Sequence, residues 1–160
     1  MTQDFDRLLQ RLADSGLEFV IIGGFAAVTH GSALMTRDLD VCVVLTDETV
    51  EKLRTTLADW HPKHRMTPEK LSFLDFPKHG PVQNLYLETD YGIVDVLSSV
   101  LGVGDFQRLK QTAEDFEIRG RTYSVISLED LIAAKQAVGR ERDLLAVKEL
   151  KAIAAKRALG

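Results

Sequence analysis

The chain has 160 residues, of which 45% are hydrophobic, and its 20 basic and 24 acidic side chains give a net charge of −4. This length and composition are typical of an ordinary globular domain and exclude a disordered chain, a collagen-like repeat and a membrane-spanning protein. The first residues do not have the pattern of a secretory signal, and the single cysteine, Cys42, cannot form an internal disulfide, so we expect a cytoplasmic protein.

Hydrophobic periodicity predicts alternating helices and strands in the first part of the chain. In order, the pattern predicts a helix over residues 4–13, a strand over 19–22, a short helix over 25–30, a strand over 38–45 and a helix over 47–60. The strand at 19–22 has no polar alternation, which is typical of a strand covered on both faces.

Residues 61–81 differ in character because they hold all four prolines and three of the four histidines, so we expect a loop-rich connection or an irregular hairpin. After them the pattern predicts strands over 85–88 and 93–97, a short helix over 105–113, a hairpin of 116–118 with 122–126, and helices over 128–138 and 140–158.

No linker or repeat divides the chain, so residues 1–160 are predicted to form a single domain. Its core is expected at about 17–126, and residues 127–160 form a C-terminal helical segment. The fold class is α/β, or α+β, with a mixed and mainly antiparallel sheet flanked by helices and a C-terminal helical pair.

Two carboxylates open the strand at residues 38–45. Residues two apart in a strand point to the same side, so Asp38 and Asp40 present their side chains together, next to an apolar run. Like charges held this close repel each other, and their burial is costly unless a cation joins them. Oxygen ligands suit magnesium or manganese. The alternative is that the two aspartates only cap or edge a strand.

A third carboxylate, Asp95, interrupts the apolar strand at residues 93–97. An isolated aspartate resists burial there and needs a partner. If this strand lies beside the strand of Asp38 and Asp40, the three carboxylates converge on one or two metal ions at the sheet edge that carries them. Such a layout suits phosphoryl transfer. The alternative is that Asp95 pairs with a core arginine or lysine.

A double glycine, Gly23-Gly24, stands between the strand at 19–22 and the helix that follows. Without a Cβ atom, both residues allow a phosphate to approach the backbone, and the start of the helix offers free N–H groups to an anion. A plain tight turn is the alternative. The pair becomes informative because two aspartates follow fourteen residues after Gly24 and a lone strand aspartate comes later.

Together these residues resemble the active-site pattern of the nucleotidyltransferase superfamily, whose fold is shared with DNA polymerase β. The similarity is greatest to small bacterial members of the AbiEii-toxin-like and lincosamide-nucleotidyltransferase-like type. It covers about residues 17–150 and rests on Gly23-Gly24-Phe25-Ala26, His30-Gly31, Thr36, Asp38-Leu39-Asp40 and Asp95, and on a C-terminal pattern of Leu128-Glu129-Asp130-Leu131, Lys135, Arg140 and Asp143.

The resemblance implies a nucleotidyltransferase fold and a transfer of a nucleoside monophosphate from an NTP to an acceptor hydroxyl, with Mg²⁺ or Mn²⁺ as cofactor. Asp38 and Asp40 would bind the metal, and Asp95 would be the third ligand or the base that activates the acceptor. The implied nucleotide contacts are Gly23, Gly24, Thr36, Arg37, Lys135 and Arg140.

The acceptor itself is left open: a small molecule, RNA or a protein. The partners implied are the NTP and, as alternatives, a second copy of the chain or an antitoxin-like protein; no membrane partner is expected. Similar proteins often carry an arginine where Leu34 stands here, and Arg37 is the candidate to replace it. The loss of that arginine supports a second hypothesis, a catalytically silent member that binds a nucleotide or a partner.

Several other residues have ordinary structural interpretations. His30, at the end of a short helix, is expected to pack or cap rather than catalyse, and the spacing of His61, His64 and His79 fits no zinc pattern. The structural alternative for Lys135 is a solvated position on a helix. For Arg140 and Asp143 the structural alternative is an ion pair on the helix surface.

Charge is unevenly distributed along the chain. Residues 1–134 carry a net charge of −8 and residues 135–160 a net charge of +4. The basic segment is consistent with phosphate binding or with a polyanionic acceptor such as RNA, which supports a toxin-type enzyme as a third hypothesis.

Overall fold

A computed structural model describes residues 3–78 and 80–160 of the protein. Its helices are α1 (Phe5–Asp14), α2 (Gly23–His30), α3 (Asp47–Leu57), α4 (Phe106–Thr112), α5 (Leu128–Val138) and α6 (Glu141–Leu159). Its strands are β1 (Val20–Ile22), β2 (Asp38–Cys42), β3 (Lys63–His64), β4 (Asn84–Thr89), β5 (Gly92–Leu97), β6 (Ser99–Val100), β7 (Gly104–Asp105), β8 (Glu114–Ile118) and β9 (Arg121–Val125).

Seven of these strands form one sheet in the order β3-β4-β5-β2-β1-β9-β8. Four of its neighbouring pairs are antiparallel, whereas β2 with β5 and β1 with β9 run parallel. The mixed, mainly antiparallel sheet predicted from the sequence is confirmed. The carboxylates were expected at a sheet edge, however, and the structure places them on the inner strands β2 and β5.

Successive side chains of β2 face opposite sides of the sheet, so one side of the strand lines the core and the other lines the candidate site. Leu39 and Val41 are fully buried, and they alternate with Asp38 and Asp40, which are only half-buried. A side-chain period of two forces this division, because an aspartate pair on one face leaves the opposite face free for apolar packing. The same strand therefore serves the core and the site.

The helical predictions hold, with shifts at their ends. Helix α2 begins at Gly23, two residues earlier than predicted, so both glycines lie in its first turn. Strand β2 ends at Cys42 rather than at residue 45. The predicted helix at 47–60 is α3 followed by a 3₁₀ turn, Ala58–Trp60. The two-stranded sheet of β6 and β7 was not predicted, because strands this short carry no periodicity.

The proline-rich segment contains an irregular hairpin, one of the two predicted outcomes. Strand β3 pairs antiparallel with β4, and Lys63 also forms a bridge with Ser72. The segment thus adds a short edge strand to the sheet. His79 lies outside the described residues.

Helices α5 and α6 form the predicted C-terminal pair. Ser127 caps α5 by accepting a hydrogen bond from the backbone N–H of Asp130. Gly139, at φ 70°, separates the two helices. Glu149 in α6 accepts hydrogen bonds from the Ser32 hydroxyl, at 2.5 Å, and from the Ala33 N–H, at 3.0 Å. These two bonds tie the loop after α2 to the C-terminal helix.

None of the helices within residues 3–78 and 80–160 is long and apolar enough to cross a membrane.

Candidate active site

Strand register brings the three predicted carboxylates together. Asp40 and Asp95 are direct partners in the parallel pairing of β2 with β5, and Asp38 lies two residues before Asp40 on the same face. One carboxylate oxygen from each of the three residues lies within 4.8 Å of those from the other two. The expectation that the strand of Asp95 runs beside that of Asp38 and Asp40 is confirmed.

The double glycine allows helix α2 to begin against these carboxylates. Gly23 has φ 67°, and a Cβ atom there would lie 2.3 Å from Oδ2 of Asp40. A Cβ atom on Gly24 would lie 2.5 Å from Oγ1 of Thr36. Both positions exclude a side chain, because these separations are far shorter than van der Waals contact. The pair is therefore required by packing, and it leaves the N–H groups of the first helical turn beside Asp40.

Burial and mutual repulsion shape the electrostatics of the cluster. Burial, followed by the negative charges of Asp95 and Asp38, raises the pKa of Asp40 to about 7. Lys135 and Arg65 act in the opposite direction, but their effect is smaller. Burial also raises the pKa of Asp95, against the hydrogen bonds and positive charge of Arg65. Such a cluster favours either protons or a cation.

Arg65, which the sequence analysis did not single out, is the direct partner of Asp95. Its Nε donates to Oδ1 of Asp95 at 3.0 Å and its Nη2 to Oδ2 at 2.5 Å, and Nη2 also lies 3.8 Å from Oδ2 of Asp38. Asp95 therefore has an arginine partner, as the alternative interpretation of this residue expected, and it also belongs to the carboxylate cluster. No periodicity could have linked the two residues, since Arg65 lies in the irregular segment, thirty positions before Asp95.

Lys135, Arg140 and Asp143 of the C-terminal pattern meet around a second buried carboxylate, that of Asp143. Asp143 is 2% exposed and accepts from Nε of Arg140 at 2.6 Å, while Nζ of Lys135 lies 3.8 Å away. The hydrogen bond from Arg140 lowers the pKa of Asp143, and Lys135 contributes further. Lys135 is also close enough to lower the pKa of Asp40. Arg140 and Asp143 form more than a surface pair, because the Asp143 carboxylate also accepts from the backbone N–H of Arg140 at 3.3 Å and so caps the start of α6.

The loop before β2 contributes one of its predicted residues. Oγ1 of Thr36 donates to the backbone carbonyl of Asp38 at 3.3 Å, beside Gly24. Arg37 is exposed and makes neither an ion pair nor a side-chain hydrogen bond to another described residue. Leu34 is 44% exposed. The structure therefore brings Thr36 to the cluster and shows no contact between Arg37 and the carboxylates.

The histidines have structural roles among the described residues. His30 is 5% exposed, and its Nε2 lies 2.7 Å from the carbonyl of Ile126 and its Nδ1 2.9 Å from Nη2 of Arg157. Burial lowers the pKa of His30. His61 pairs with Asp90, whereas His64 lies against the Phe76 carbonyl. Within residues 3–78 and 80–160, the group able to hold a metal is that of Asp38, Asp40 and Asp95.

The donor set indicates which ion would fit. Three carboxylates without sulfur or imidazole are the ligands that hard cations such as Mg²⁺ and Mn²⁺ prefer. The carboxylate oxygens of Asp38 and Asp40 accept no hydrogen bond from the described residues, so they are available to an ion.

Solved structures of similar fold are nucleotidyltransferases. The lincosamide antibiotic adenylyltransferase LnuA, in its lincomycin-bound form, matches with a TM-score of 0.62 and 17% identity over 93% of this chain and 95% of that one. A Thermotoga maritima protein proposed to be a nucleotidyltransferase matches with a TM-score of 0.58 and 16% identity over 93% and 94%. The antibiotic-resistance factor ANT(2'')-Ia in complex with adenylyl-2''-tobramycin matches with a TM-score of 0.50 and 13% identity over 92% and 95%.

No protein-family model matches the chain, and no curated protein matches it by sequence. At these identities the structural likeness establishes the fold. The chain has the nucleotidyltransferase fold, which confirms the fold that the sequence resemblance implied.

Changing Gly23 to Ala should displace the Asp40 carboxylate and abolish metal binding. Gly16→Ala is a matched control, because Gly16 also has a positive φ, 79°, but a Cβ atom there meets nothing within 4 Å. Backbone strain alone should cost the control about 1 kcal/mol. Urea unfolding and Mn²⁺ titration measure both effects. Equal losses of stability and normal Mn²⁺ binding in both variants would contradict this role for Gly23.

The raised pKa of Asp40 predicts a pH-dependent stability of the metal-free protein. Because the folded state holds the Asp40 proton up to about pH 7, compared with 3.8 without the fold, stability should fall as pH rises through this range. Asp40→Asn removes the charge, so its melting temperature in EDTA should exceed that of the wild type at pH 8 by on the order of 5 °C, and by roughly a third of that at pH 5.

Asp115→Asn, on the far edge strand β8, is the control for that comparison, since Asp115 is exposed. It should show the same difference from the wild type at both pH values. If Asp40→Asn behaves in the same way, burial of Asp40 does not govern the pH dependence.

Proposed function

We propose that the protein is a metal-dependent nucleotidyltransferase that moves a nucleoside monophosphate from an NTP to an acceptor hydroxyl and releases pyrophosphate. The observation that carries this proposal is the cluster of three carboxylates beside the first turn of α2, in a chain with the nucleotidyltransferase fold. The Asp38–Asp40 pair would hold Mg²⁺ or Mn²⁺.

Each residue around the carboxylate cluster has its own proposed role. The N–H groups at the start of α2, freed by Gly23 and Gly24, suit the oxygens of a triphosphate. Lys135 adds a positive charge near Asp40. Thr36 lies against Gly24 in the first turn of α2 and donates to the Asp38 carbonyl, which fixes the loop before β2 beside that turn. A bound divalent cation would stabilise negative charge on the phosphates during transfer.

The reaction requires an attacking oxygen and a leaving group on opposite sides of the α-phosphorus. The acceptor oxygen forms the new bond, the bond from the α-phosphorus to the bridging oxygen breaks, and pyrophosphate leaves with that electron pair. The hydroxyl proton must pass to a base. Asp95 is the candidate base, and the third metal ligand is its alternative role.

Sheet order supports one side of the carboxylate cluster as the approach of the acceptor. The glycine pair lies on the β1 side of Asp40, whereas Asp95 lies on the β4 side, directly opposite Tyr86. Tyr86 is 37% exposed, and Met66 beside Arg65 is 66% exposed. We infer that the acceptor approaches from the β4 side over these apolar surfaces. The loops at 61–81 and 98–106 would set its identity.

Lincomycin and tobramycin are the first acceptors to test, because proteins of similar fold are solved with lincomycin and with adenylyl-2''-tobramycin. Each labelled NTP is incubated with Mg²⁺ and each antibiotic, and the mass of the acceptor and the released pyrophosphate are measured. We expect a nucleotide adduct on a hydroxylic acceptor. Asp38→Asn and Asp40→Asn should reduce the rate by at least 10²-fold, whereas Asp115→Asn should leave it unchanged.

A catalytically silent nucleotide-binding protein is the second candidate. It is favoured by the pairing of Asp95 with Arg65 and by Leu34, which stands in the place of an arginine. Calorimetry separates the two: NTP binding without transfer to any acceptor, unaffected by Asp38→Asn, would support this candidate. Neither NTP binding nor transfer would contradict both.

A polyanionic acceptor is favoured by the exposed face at the start of α6. There Arg142 and Lys148 flank the exposed Leu144 and Leu145. If RNA is the acceptor, affinity for tRNA should fall steeply between 50 and 200 mM salt, about tenfold or more, because binding releases counterions. Arg142→Ala with Lys148→Ala should flatten that slope. Salt-independent or absent binding would exclude RNA.

A further inference from the structure

Arg65 is held over the carboxylate cluster by contacts at its backbone and along its side chain. Its N–H donates to the carbonyl of Tyr86 at 3.0 Å, so its position is tied to strand β4. Its guanidinium carbon lies 5.5 Å from the centre of the Tyr86 ring, and Nη1 lies 3.2 Å from Sδ of Met66. The side chain is 23% exposed. The guanidinium is therefore anchored where it meets Asp95, rather than being a solvent-exposed charge.

Both oxygens of Asp95 are used by this guanidinium. The two parallel hydrogen bonds, from Nε and from Nη2, are the bidentate geometry in which an arginine binds a carboxylate most strongly. Asp95 is 4% exposed, so the pair is also shielded from water. A metal ion that ligated Asp95 would have to break charge-assisted bonds, whereas Asp38 and Asp40 accept no such bonds from the described residues.

The net charge of the cluster also favours one bound cation at Asp38 and Asp40. The three carboxylates with Arg65 carry a net charge of −2 when all are ionised. One divalent cation neutralises that charge. A second divalent cation would face the guanidinium, because Nη2 of Arg65 lies 3.8 Å from Oδ2 of Asp38 and thus covers the space between Asp38 and Asp95.

We propose that the protein itself binds one divalent cation, ligated by Asp38 and Asp40, and that Arg65 takes the place of a second cation at Asp95. This rests on the metal-dependent function proposed above. Asp95 is then a positioning residue that orients Arg65, in place of the base or third metal ligand considered above, and the guanidinium supplies fixed positive charge on the side of the cluster from which the acceptor approaches.

Mn²⁺ alone, counted by electron paramagnetic resonance and by calorimetry at pH 8, tests the proposal. The wild type should bind one Mn²⁺ per chain. Arg65→Met should bind two, because both oxygens of Asp95 become available. The matched control is Arg121→Met, since Arg121 also pairs with an aspartate, Asp14, at 2.8 Å, but on the edge of the sheet formed by β8 and β9. This control should bind one.

Asp95→Asn gives a second measurement that does not depend on the folding of Arg65→Met. It should change the affinity for the first Mn²⁺ by less than about threefold, whereas Asp40→Asn should weaken it by at least tenfold, about 1.4 kcal/mol. Circular dichroism checks that each variant is folded. A merely structural role for Arg65 would change stability and leave the number of bound ions at one.

The experiment distinguishes failure of the proposed role of Arg65 from failure of the metal-dependent function. Two Mn²⁺ in the wild type, one in folded Arg65→Met, or loss of the first Mn²⁺ in Asp95→Asn would overturn the role of Arg65 and leave the metal-dependent function standing. If the wild type binds no Mn²⁺ at millimolar concentration, both the role of Arg65 and the metal-dependent function are overturned.

Discussion

Three carboxylates on two neighbouring inner strands are the constraint on which the rest of the structure depends. Parallel pairing of β2 with β5 makes Asp40 and Asp95 direct neighbours, and the alternation of β2 adds Asp38 on the same face. Placing this much negative charge beside a core is unfavourable unless cations compensate it. The surrounding elements can be understood by how they bring positive charge, or backbone N–H groups, to that face.

Those compensating groups come from separate parts of the chain. Helix α2 begins at Gly23 against Asp40, the irregular hairpin after α3 delivers Arg65 to Asp95, and α5 delivers Lys135. The sheet is where these groups meet. Arg65 directly follows the two-residue edge strand β3, which pairs with β4.

The sequence was sufficient for the elements whose pattern is local and periodic. Two patterns predicted the carboxylate cluster: Asp38 and Asp40 are two residues apart in one strand, and Asp95 is a lone charge in an apolar strand. The parallel pairing of β2 with β5 then makes Asp40 and Asp95 direct neighbours. Arg65 could not be predicted, because its pairing depends on a long-range approach from a segment without periodicity. The same limit applies to the start of α2, which was predicted at residue 25 and begins at Gly23, packed against Asp40.

The basic C-terminal segment also changes in meaning once its partners are known. Its net charge of +4 was consistent with phosphate binding or a polyanionic acceptor, yet Arg140 caps α6 through Asp143, and Arg157 lies 3.3 Å from Glu114 and beside His30. Lys135 differs from these two arginines, because its 3.8 Å separation from Asp143 is longer than a hydrogen bond and it also faces Asp40. A lysine in that position keeps its donors for another acceptor. Of the two basic residues in this segment that the resemblance places near phosphates, Arg140 is committed to the start of α6, and we propose Lys135 as the one that contacts the phosphates.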